Sequence, residues 1–348
     1  MMGDKEVYSV PVVLADRFFM SEESLTEISA LGGYAWAEVR NHHELTDQLS
    51  RSPSVRIIVS EYVRIDGFVL DRAPGLKGVI AYGAGTDHID LKQATERGVL
   101  VCNCRGENAE AVAELTFGLL LCLMRKIHWF DRYVREGSWK KTEGAALPQW
   151  ATGGELQGKT MGIIGLGQIG SRVARIARGF DMKIIAYDPF AQPQVAAGVE
   201  NIPLEDLLTQ ADIITLHVPL TPSSEKIINA RAFALMKPGA LLVNTSRGKV
   251  IDEAVLLRVL KEKRIGGAAL DVFASEPISG KHPFCSLENV VLSPHIGAMT
   301  QEAGERLSAS VARQVRDILS GRKPECLIEQ AGSDQRSAIS EKPSSKLS

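Results

Sequence analysis

Short apolar runs alternate with longer helical patterns along the first part of the chain. Strands are predicted at Val10–Leu14, Ile57–Val59, Val79–Ala81 and Leu100–Cys102. Helices are predicted between them, at Ser21–Leu31 and Leu91–Arg97. Strands that alternate with helices are typical of a parallel sheet in an α/β fold.

A second series of strand patterns follows, and each of them is a nearly continuous apolar run. Its strands are predicted at Thr160–Leu166, Lys183–Tyr187, Asp212–Val218, Ala240–Thr245, Gly267–Val272 and Val290–Leu292. Strands without in/out alternation are those buried on both faces, as in doubly wound sheets. We therefore expect two doubly wound α/β units, with four or five strands in the first and six in the second.

Two long helical patterns flank the second unit, at 107–126 and 301–319. We expect the chain to return to the first unit after its last strand. The predicted division is a discontinuous domain of 1–107 and 298–330, a continuous domain of 108–297, and a tail. The tail, 331–348, holds six Ser and no aromatic residue, so we expect it to be disordered.

The segment 127–156 has little regular pattern, although it carries Trp129, Trp139 and Trp150. Aromatic residues in a projecting segment favour a contact between subunits. We expect a homodimer formed through the 108–156 region. The alternative is that these rings pack on their own domain.

Composition and charge narrow the classes of partner. The 348 residues carry 40 basic and 42 acidic side chains, a net charge of -2, which argues against nucleic acid or an anionic membrane as the main partner. The longest apolar run, Leu115–Met124, is too short to span a bilayer.

Five cysteines with a single C-x-C at Cys102 and Cys104 do not predict a metal site. Such sparse thiols, and the absence of a signal pattern at the first residues, predict a cytoplasmic protein.

A glycine motif lies between the first strand and first helix of the second unit. Gly165, Gly167 and Gly170 form G-x-G-x-x-G, and the helix is predicted over 171–179. These glycines permit a tight turn, close approach to a pyrophosphate and close helix–strand packing. Asp188 ends the next strand, where a carboxylate accepts hydrogen bonds from ribose hydroxyls and would repel a 2′-phosphate. The motif therefore predicts NAD rather than NADP.

Three polar side chains follow successive strands of this unit. Arg247, Glu276 and His295 come after the predicted strands that end near 245, 272 and 292. Ligands of open α/β sheets bind at the carboxyl ends of the strands. His titrates in the range useful for acid/base work, a carboxylate beside it favours the imidazolium, and Arg matches a substrate carboxylate. Each residue alone has an ordinary structural alternative, but their joint placement predicts an acid/base set beside a nicotinamide.

A second glycine-rich loop follows the Val79–Ala81 strand of the first unit. Its residues are Tyr82, Gly83, Ala84 and Gly85. The glycines let backbone N–H groups converge on an anion, so we expect this loop to bind the substrate carboxylate. The alternative is a tight strand–helix turn, and the two interpretations are compatible.

The chain resembles the D-isomer-specific 2-hydroxyacid dehydrogenase family from about Val10 to Leu327. The motifs that carry the resemblance are GAGTDHID (83–90), NAEAVAELTFGLLL (108–121), GIIGLGQIG (162–170), VNTSRG (243–248), ALDVFASEP (269–277) and SPHIGAMT (293–300). The resemblance implies a flavodoxin-like substrate domain, a Rossmann NAD-binding domain and a dimer. It also implies that Arg247 binds and polarises the substrate, that His295 is the acid/base and that Glu276 supports it.

The same resemblance implies further contacts with NAD. Beyond the three glycines, these fall at Gln168, Ile169, Asp188, His217, Thr245, Asp271 and Gly297. The implied substrate is a small D-2-hydroxy acid or its 2-keto acid. Parts of the second unit resemble phosphoglycerate dehydrogenases, whereas the length of 127–156 resembles glyoxylate and hydroxypyruvate reductases.

Two other functional classes stay open at this point. The family includes C-terminal-binding corepressors, which sense NAD(H), bind proteins and retain the catalytic residues. A plain α/β binding protein without nucleotide affinity is the third possibility.

Overall fold

The computed structural model describes residues 9–139, 152–190 and 198–328. The predicted tail at 331–348 and Trp150 of the predicted subunit contact lie outside these ranges. The strands are β1 (Val12–Leu14), β2 (Tyr34–Trp36), β3 (Ile57–Ser60), β4 (Gly78–Ala81), β5 (Leu100–Asn103), β6 (Thr160–Ile164), β7 (Lys183–Tyr187), β8 (Glu200–Asn201), β9 (Ile213–Leu216), β10 (Leu241–Asn244), β11 (Gly267–Leu270) and β12 (Val290–Leu292). The helices are α1 (Glu22–Ala30), α2 (His42–Leu49), α3 (Gly67–Leu70), α4 (Leu91–Glu96), α5 (Ala109–Arg125), α6 (Ile127–Arg135), α7 (Gln168–Gly179), α8 (Leu204–Gln210), α9 (Ala230–Leu235), α10 (Glu253–Lys261) and α11 (Gln301–Leu319).

The chain divides into two compact units. One comprises 1–107 together with the chain from Gly304 onward, and the other comprises 108–303. The first contains a five-stranded sheet in the order β2-β1-β3-β4-β5, in which every pair is parallel. This is the strand order of flavodoxin-like folds, as expected.

The second unit contains a seven-stranded sheet in the order β12-β11-β10-β9-β6-β7-β8, again wholly parallel. The order reverses between β6 and β9, which is the switch point of a Rossmann fold. Neighbouring residues of one strand pack into different hydrophobic cores on the two faces of the sheet. Leu242 packs with Phe233 and Leu256 on one face, and Val243 packs on the other. Burial on both faces explains why the strand runs show no alternation, and the predicted fold class is confirmed.

Several elements of the structure differ from the predicted ones. β2 and β8 were not predicted, because both are edge strands without β-branched residues: β2 is Tyr-Ala-Trp, and β8 is an exposed, polar pair. Helix α7 begins at Gln168 rather than at Ser171, since the end of the glycine motif already forms the first turn. The expected irregularity of 127–156 is wrong for its beginning, where α6 forms.

The part of the chain that the structure describes contains no helix long and apolar enough to cross a membrane.

Candidate active site

The turn between β6 and α7 requires its glycines for different reasons. Gly165 has φ +93°, and a Cβ there would lie 2.7 Å from the carbonyl oxygen of His217. A Cβ on Gly170 would lie 2.0 Å from the carbonyl oxygen of Gly165, so the helix can approach the turn only without a side chain. At Gly167, by contrast, a Cβ would meet no atom within 4 Å. The space beside Gly167, at the first turn of a 12-residue helix, is open, as close approach of a pyrophosphate to the backbone requires.

Asp188 lies directly after β7 and is hydrogen-bonded to the glycine turn between β6 and α7. Its Oδ2 accepts a hydrogen bond from Leu166 N at 2.8 Å, and its Oδ1 accepts one from Phe190 N at 2.8 Å. Asn201 on β8 pairs with the backbone of Asp188 through both its amide oxygen and its amide nitrogen. Each carboxylate oxygen keeps capacity for a further donor, as a ribose hydroxyl would require.

A single buried carboxylate organises the ends of β11 and β12. Asp271, which is 1% exposed, accepts hydrogen bonds from Ser293 Oγ (2.6 Å), Ile296 N (2.9 Å) and Gly297 N (3.0 Å). Its carbonyl oxygen accepts the N–H of His295 at 2.8 Å. These bonds hold His295 in the left-handed region at φ 56°, a conformation that a non-glycine residue rarely adopts without such support.

His295 and Glu276 form the central pair of the site. His295 Nδ1 lies 2.7 Å from Glu276 Oε2, and the two side chains are 31% and 30% exposed. Burial disfavours the imidazolium, but the hydrogen bond and charge of Glu276 outweigh burial, so the pKa of His295 is raised. Burial likewise opposes ionisation of Glu276, yet His295 and the N–H of Phe273 lower its pKa. The pair therefore stabilises a carboxylate beside an imidazolium.

Arg247 follows β10 and completes the predicted triad. Its positive charge lowers the pKa of both Glu276 and His295, so it acts on the pair electrostatically. Asn244 holds its backbone, because Asn244 Nδ2 donates to the carbonyl oxygen of Arg247 at 2.8 Å. The structure thus brings Arg247, Glu276 and His295 together at the ends of adjacent parallel strands.

The other residues predicted to contact NAD have protein partners of their own. Thr245 Oγ1 lies 3.0 Å from Thr116 Oγ1, and the Gln168 side chain accepts from Arg172 at 2.9 Å. His217 Nε2 lies 2.8 Å from Thr215 Oγ1, whereas Nδ1 is buried without a partner among the described residues. Burial lowers the pKa of His217 to about 3, so the ring is neutral. The side chain of Ile169 packs partly against the core.

The predicted substrate loop lies in the first unit, and its carbonyl groups are held by the protein. Gly83 O accepts from Cys104 N and Ala84 O from Asn103 Nδ2, both at 2.7 Å. Gly83 has φ +136°, and a Cβ there would meet no atom within 4 Å. These bonds engage two carbonyl oxygens of the loop, and the N–H of Tyr82 donates to Ser60 O at 2.9 Å. Tyr82 is buried, with its ring stacked 4.2 Å from Phe18 and its hydroxyl donating to Phe19 O.

Asn244 and Ser293 were not singled out from the sequence, although they orient Arg247 and Asp271. Both are buried polar residues at strand ends, and that position is the signal that could have identified them. Among the described residues, no group of three or more His, Cys, Asp or Glu could hold a metal ion.

A Rossmann unit with an open glycine turn and an Arg–Glu–His set at its strand ends defines a nicotinamide-dependent oxidoreductase. Residues 117–297 match the family model described as D-isomer specific 2-hydroxyacid dehydrogenase, NAD binding domain. The chain is 43% identical over 267 residues to the glyoxylate reductase of Thermococcus litoralis, covering 76% of this chain and 80% of the relative. It is 40% identical over 308 residues to that of Korarchaeum cryptofilum, covering 84% and 92%.

Two solved structures are similar over most of their length. The TT0316 protein of Thermus thermophilus superposes with a TM-score of 0.82 at 34% identity, covering 91% of this chain and 100% of the other. An NADPH-dependent glyoxylate/hydroxypyruvate reductase of Sinorhizobium meliloti, solved with NADP and malonate, gives 0.81 at 26% identity, covering 92% and 97%.

This chain belongs to the D-isomer specific 2-hydroxyacid dehydrogenase family. It is an enzyme that interconverts 2-hydroxy acids and 2-keto acids with a nicotinamide dinucleotide, and it carries the NAD-binding domain of that family. Nothing in these similarities supports the corepressor alternative. None of these relatives is described as a phosphoglycerate dehydrogenase.

Replacing Glu276 by Gln should lower the pKa of His295. The neutral amide removes the charge that stabilises the imidazolium, while burial and Arg247 continue to oppose it. NMR titration of the His295 imidazole in the cofactor-free protein measures this directly. The His128 ring, whose Nδ1 lies 3.7 Å from Cys122 Sγ, is the internal control. An unchanged His295 titration in Glu276→Gln would contradict the interpretation of the pair.

Proposed function

We propose that this enzyme reduces glyoxylate and hydroxypyruvate with NADH, giving glycolate and D-glycerate. The observation that carries the proposal is the His295–Glu276 pair beside Arg247 at adjacent strand ends. The two curated relatives described above are glyoxylate reductases, and the Sinorhizobium meliloti structure is a glyoxylate/hydroxypyruvate reductase.

The proposed roles follow from the charges of the three side chains. Arg247 binds the substrate carboxylate and polarises the carbonyl through its planar guanidinium. When bound, the nicotinamide supplies the hydride to C2. His295 gives the proton to the carbonyl oxygen from Nε2, because Nδ1 is turned to Glu276. Glu276 keeps the imidazole oriented and favours its charged form.

The raised pKa of His295 sets the direction of the pH dependence. Reduction needs the imidazolium, which persists to higher pH than in an isolated histidine and is lost as the pH rises through the raised pKa. Oxidation needs the neutral ring, so its rate rises over the same interval.

The dinucleotide is proposed to lie along the turn and strand ends of the second unit. Its contacts are Gly165, Gly167, Gln168, Ile169, Gly170, Asp188, His217, Thr245, Asp271 and Gly297. Asp188 supports NAD over NADP, because its carboxylate lies at the end of β7 and would repel a 2′-phosphate.

The substrate loop, Tyr82 to Gly85, is proposed to bind the carboxylate of the substrate through its backbone. Tyr82, directly before the first glycine of this loop, is buried, and its hydroxyl donates a hydrogen bond to Phe19 O. Tyr82 carries no charge that could bind a substrate phosphate, which favours small unphosphorylated 2-keto acids over 3-phosphohydroxypyruvate.

A steady-state screen of NADH oxidation tests the proposed substrate class. We expect the highest kcat/KM with glyoxylate or hydroxypyruvate, lower values with pyruvate and phosphohydroxypyruvate, and better turnover with NADH than with NADPH. Preference for the phosphorylated acid would overturn the substrate assignment. Tight NADH binding without turnover on any of these acids would instead favour a sensor of the corepressor type.

The variant His295→Ala tests the proposed acid. General acid catalysis contributes ~10²-fold or more, so kcat for reduction should fall by about that factor while NADH affinity is retained. Arg247→Lys serves for comparison, because losing the bidentate fork should weaken substrate binding as well as turnover. An unchanged kcat in His295→Ala would remove this residue from the mechanism.

Helix α6 supports the proposed homodimer through the 108–156 region. It buries none of its side chains, and Ile127 and Val134, seven residues apart on one face, are both more than half exposed. Trp139, just beyond the helix, is 72% exposed. Apolar side chains left uncovered in this way fit a contact with a second copy.

The double variant Ile127→Asp with Val134→Asp should convert the dimer to monomer, because two carboxylates cannot be buried unpaired at an interface. Light scattering after size-exclusion chromatography measures the mass. Ile127→Leu with Val134→Leu is the matched control and should stay dimeric. A wild-type protein of monomeric mass would contradict the proposal.

We also propose a discontinuous substrate domain of 1–107 and 298–330 around the NAD domain of 108–297.

We propose a cytoplasmic location as well. All five cysteines are free thiols, which supports a reducing compartment.

A further inference from the structure

A second carboxylate–histidine pair lies beside the turn that carries Glu276. Glu253, the first residue of α10, accepts a hydrogen bond from Ala274 N with its Oε2 at 2.9 Å. Its Oε1 lies 3.2 Å from Nε2 of His282, and the two side chains are only 26% and 22% exposed. Neither residue belongs to the predicted site.

The two glutamates hold the same turn from adjacent peptide groups. Glu276 accepts the N–H of Phe273 with one oxygen and contacts His295 with the other. Glu253 accepts the N–H of Ala274 with one oxygen and contacts His282 with the other. The backbone between residues 273 and 276 is therefore fixed by two carboxylates, each oriented by its own imidazole.

The tautomer of His282 follows from its second contact. Its Nδ1 accepts the N–H of Phe284 at 3.4 Å, so Nε2 carries the proton that is donated to Glu253. The ring also packs near Phe273 and Phe284, with centroids 6.3 and 5.0 Å away. His282 thus anchors Glu253 to the short 3-10 helix Pro283–Ser286, outside the turn.

The turn also lies against the backbone of the other proposed catalytic residue. A Cβ on Gly248 would lie 1.9 Å from the carbonyl carbon of Phe273, so the chain directly after Arg247 touches this peptide. A displacement of the Phe273–Ala274 peptide would therefore change the position of Glu276 relative to His295 and disturb the backbone beside Arg247.

We propose that Glu253 and His282 are positioning residues that hold the 273–276 turn so that Glu276 stays in hydrogen-bonding contact with His295. This inference rests on the proposed function of His295 as the acid. The charged groups that act on His295 are Glu276 and Asp271, which favour the imidazolium, and Arg247, which opposes it. Loosening the turn weakens the contribution of Glu276 and leaves those of Asp271 and Arg247 in place.

The test compares pH profiles of kcat/KM for NADH-dependent reduction in the intact enzyme. In Glu253→Ala, the alkaline limb of the profile should move to lower pH. At pH values above the wild-type limb, kcat/KM should fall about tenfold, because losing one charge-assisted hydrogen bond changes an equilibrium constant by about that factor. Glu253→Gln keeps an oxygen for Ala274 N and should restore part of the shift. His282→Phe keeps the ring packing but loses both hydrogen bonds, so it should shift the limb in the same direction.

Asp252→Ala provides the matched control. Asp252 caps the same helix by accepting from Val255 N at 3.3 Å and pairs with Lys226, without contacting the turn. Its loss should lower the melting temperature and leave the alkaline limb in place. NMR titration of His295 in Glu253→Ala supplies a readout that does not need turnover, and its pKa should fall.

An alkaline limb and a His295 titration unchanged in both Glu253→Ala and His282→Phe would overturn the inference. An equal shift in Asp252→Ala would also overturn it, because the effect would then come from general destabilisation. The variant His295→Ala separates the two proposals: if it keeps full activity, the proposed acid is wrong. If it is inactive while the Glu253 variants behave as wild type, only the positioning role fails.

Discussion

The carboxylate of Asp271 is the constraint on which the site depends. It is buried at the end of β11 and accepts hydrogen bonds from Ser293, Ile296 and Gly297, which follow β12. A buried carboxylate is costly unless donors satisfy it, so the turn that supplies those donors can adopt few other conformations. That turn places His295 in a left-handed conformation beside Glu276.

The acid/base pair is set by opposing contributions rather than by a single contact. Burial and Arg247 both disfavour the imidazolium, and the hydrogen bond and charge of Glu276 exceed them. A change in the distance between the pair would therefore shift this balance, and the turn from Phe273 to Glu276 carries the carboxylate. The contacts of Glu253 with Ala274 and His282 extend this support one step further from the reaction.

Much of the fold was predictable because its signals are local. Apolar runs such as Lys183–Tyr187 became strands with the predicted bounds, and α11 spans the predicted 301–319. The strands that were missed, β2 and β8, contain no β-branched residue, and each is an edge strand paired with a single neighbour. Helix α6 was missed because it is only nine residues long and begins directly after α5, although Ile127 and Val134 have helical spacing.

By itself, the sequence determined the parallel α/β class, the glycine turn and the placement of Arg247, Glu276 and His295 after successive strands. These follow from periodicity and from the rule that parallel strands end at one edge of a sheet. Only the tertiary structure decided that Asp271 binds the His295 turn, that Tyr82 is buried and that Glu253 reaches Ala274. Such contacts join residues distant in sequence, and whether a polar side chain finds a partner depends on three-dimensional packing that no local pattern records.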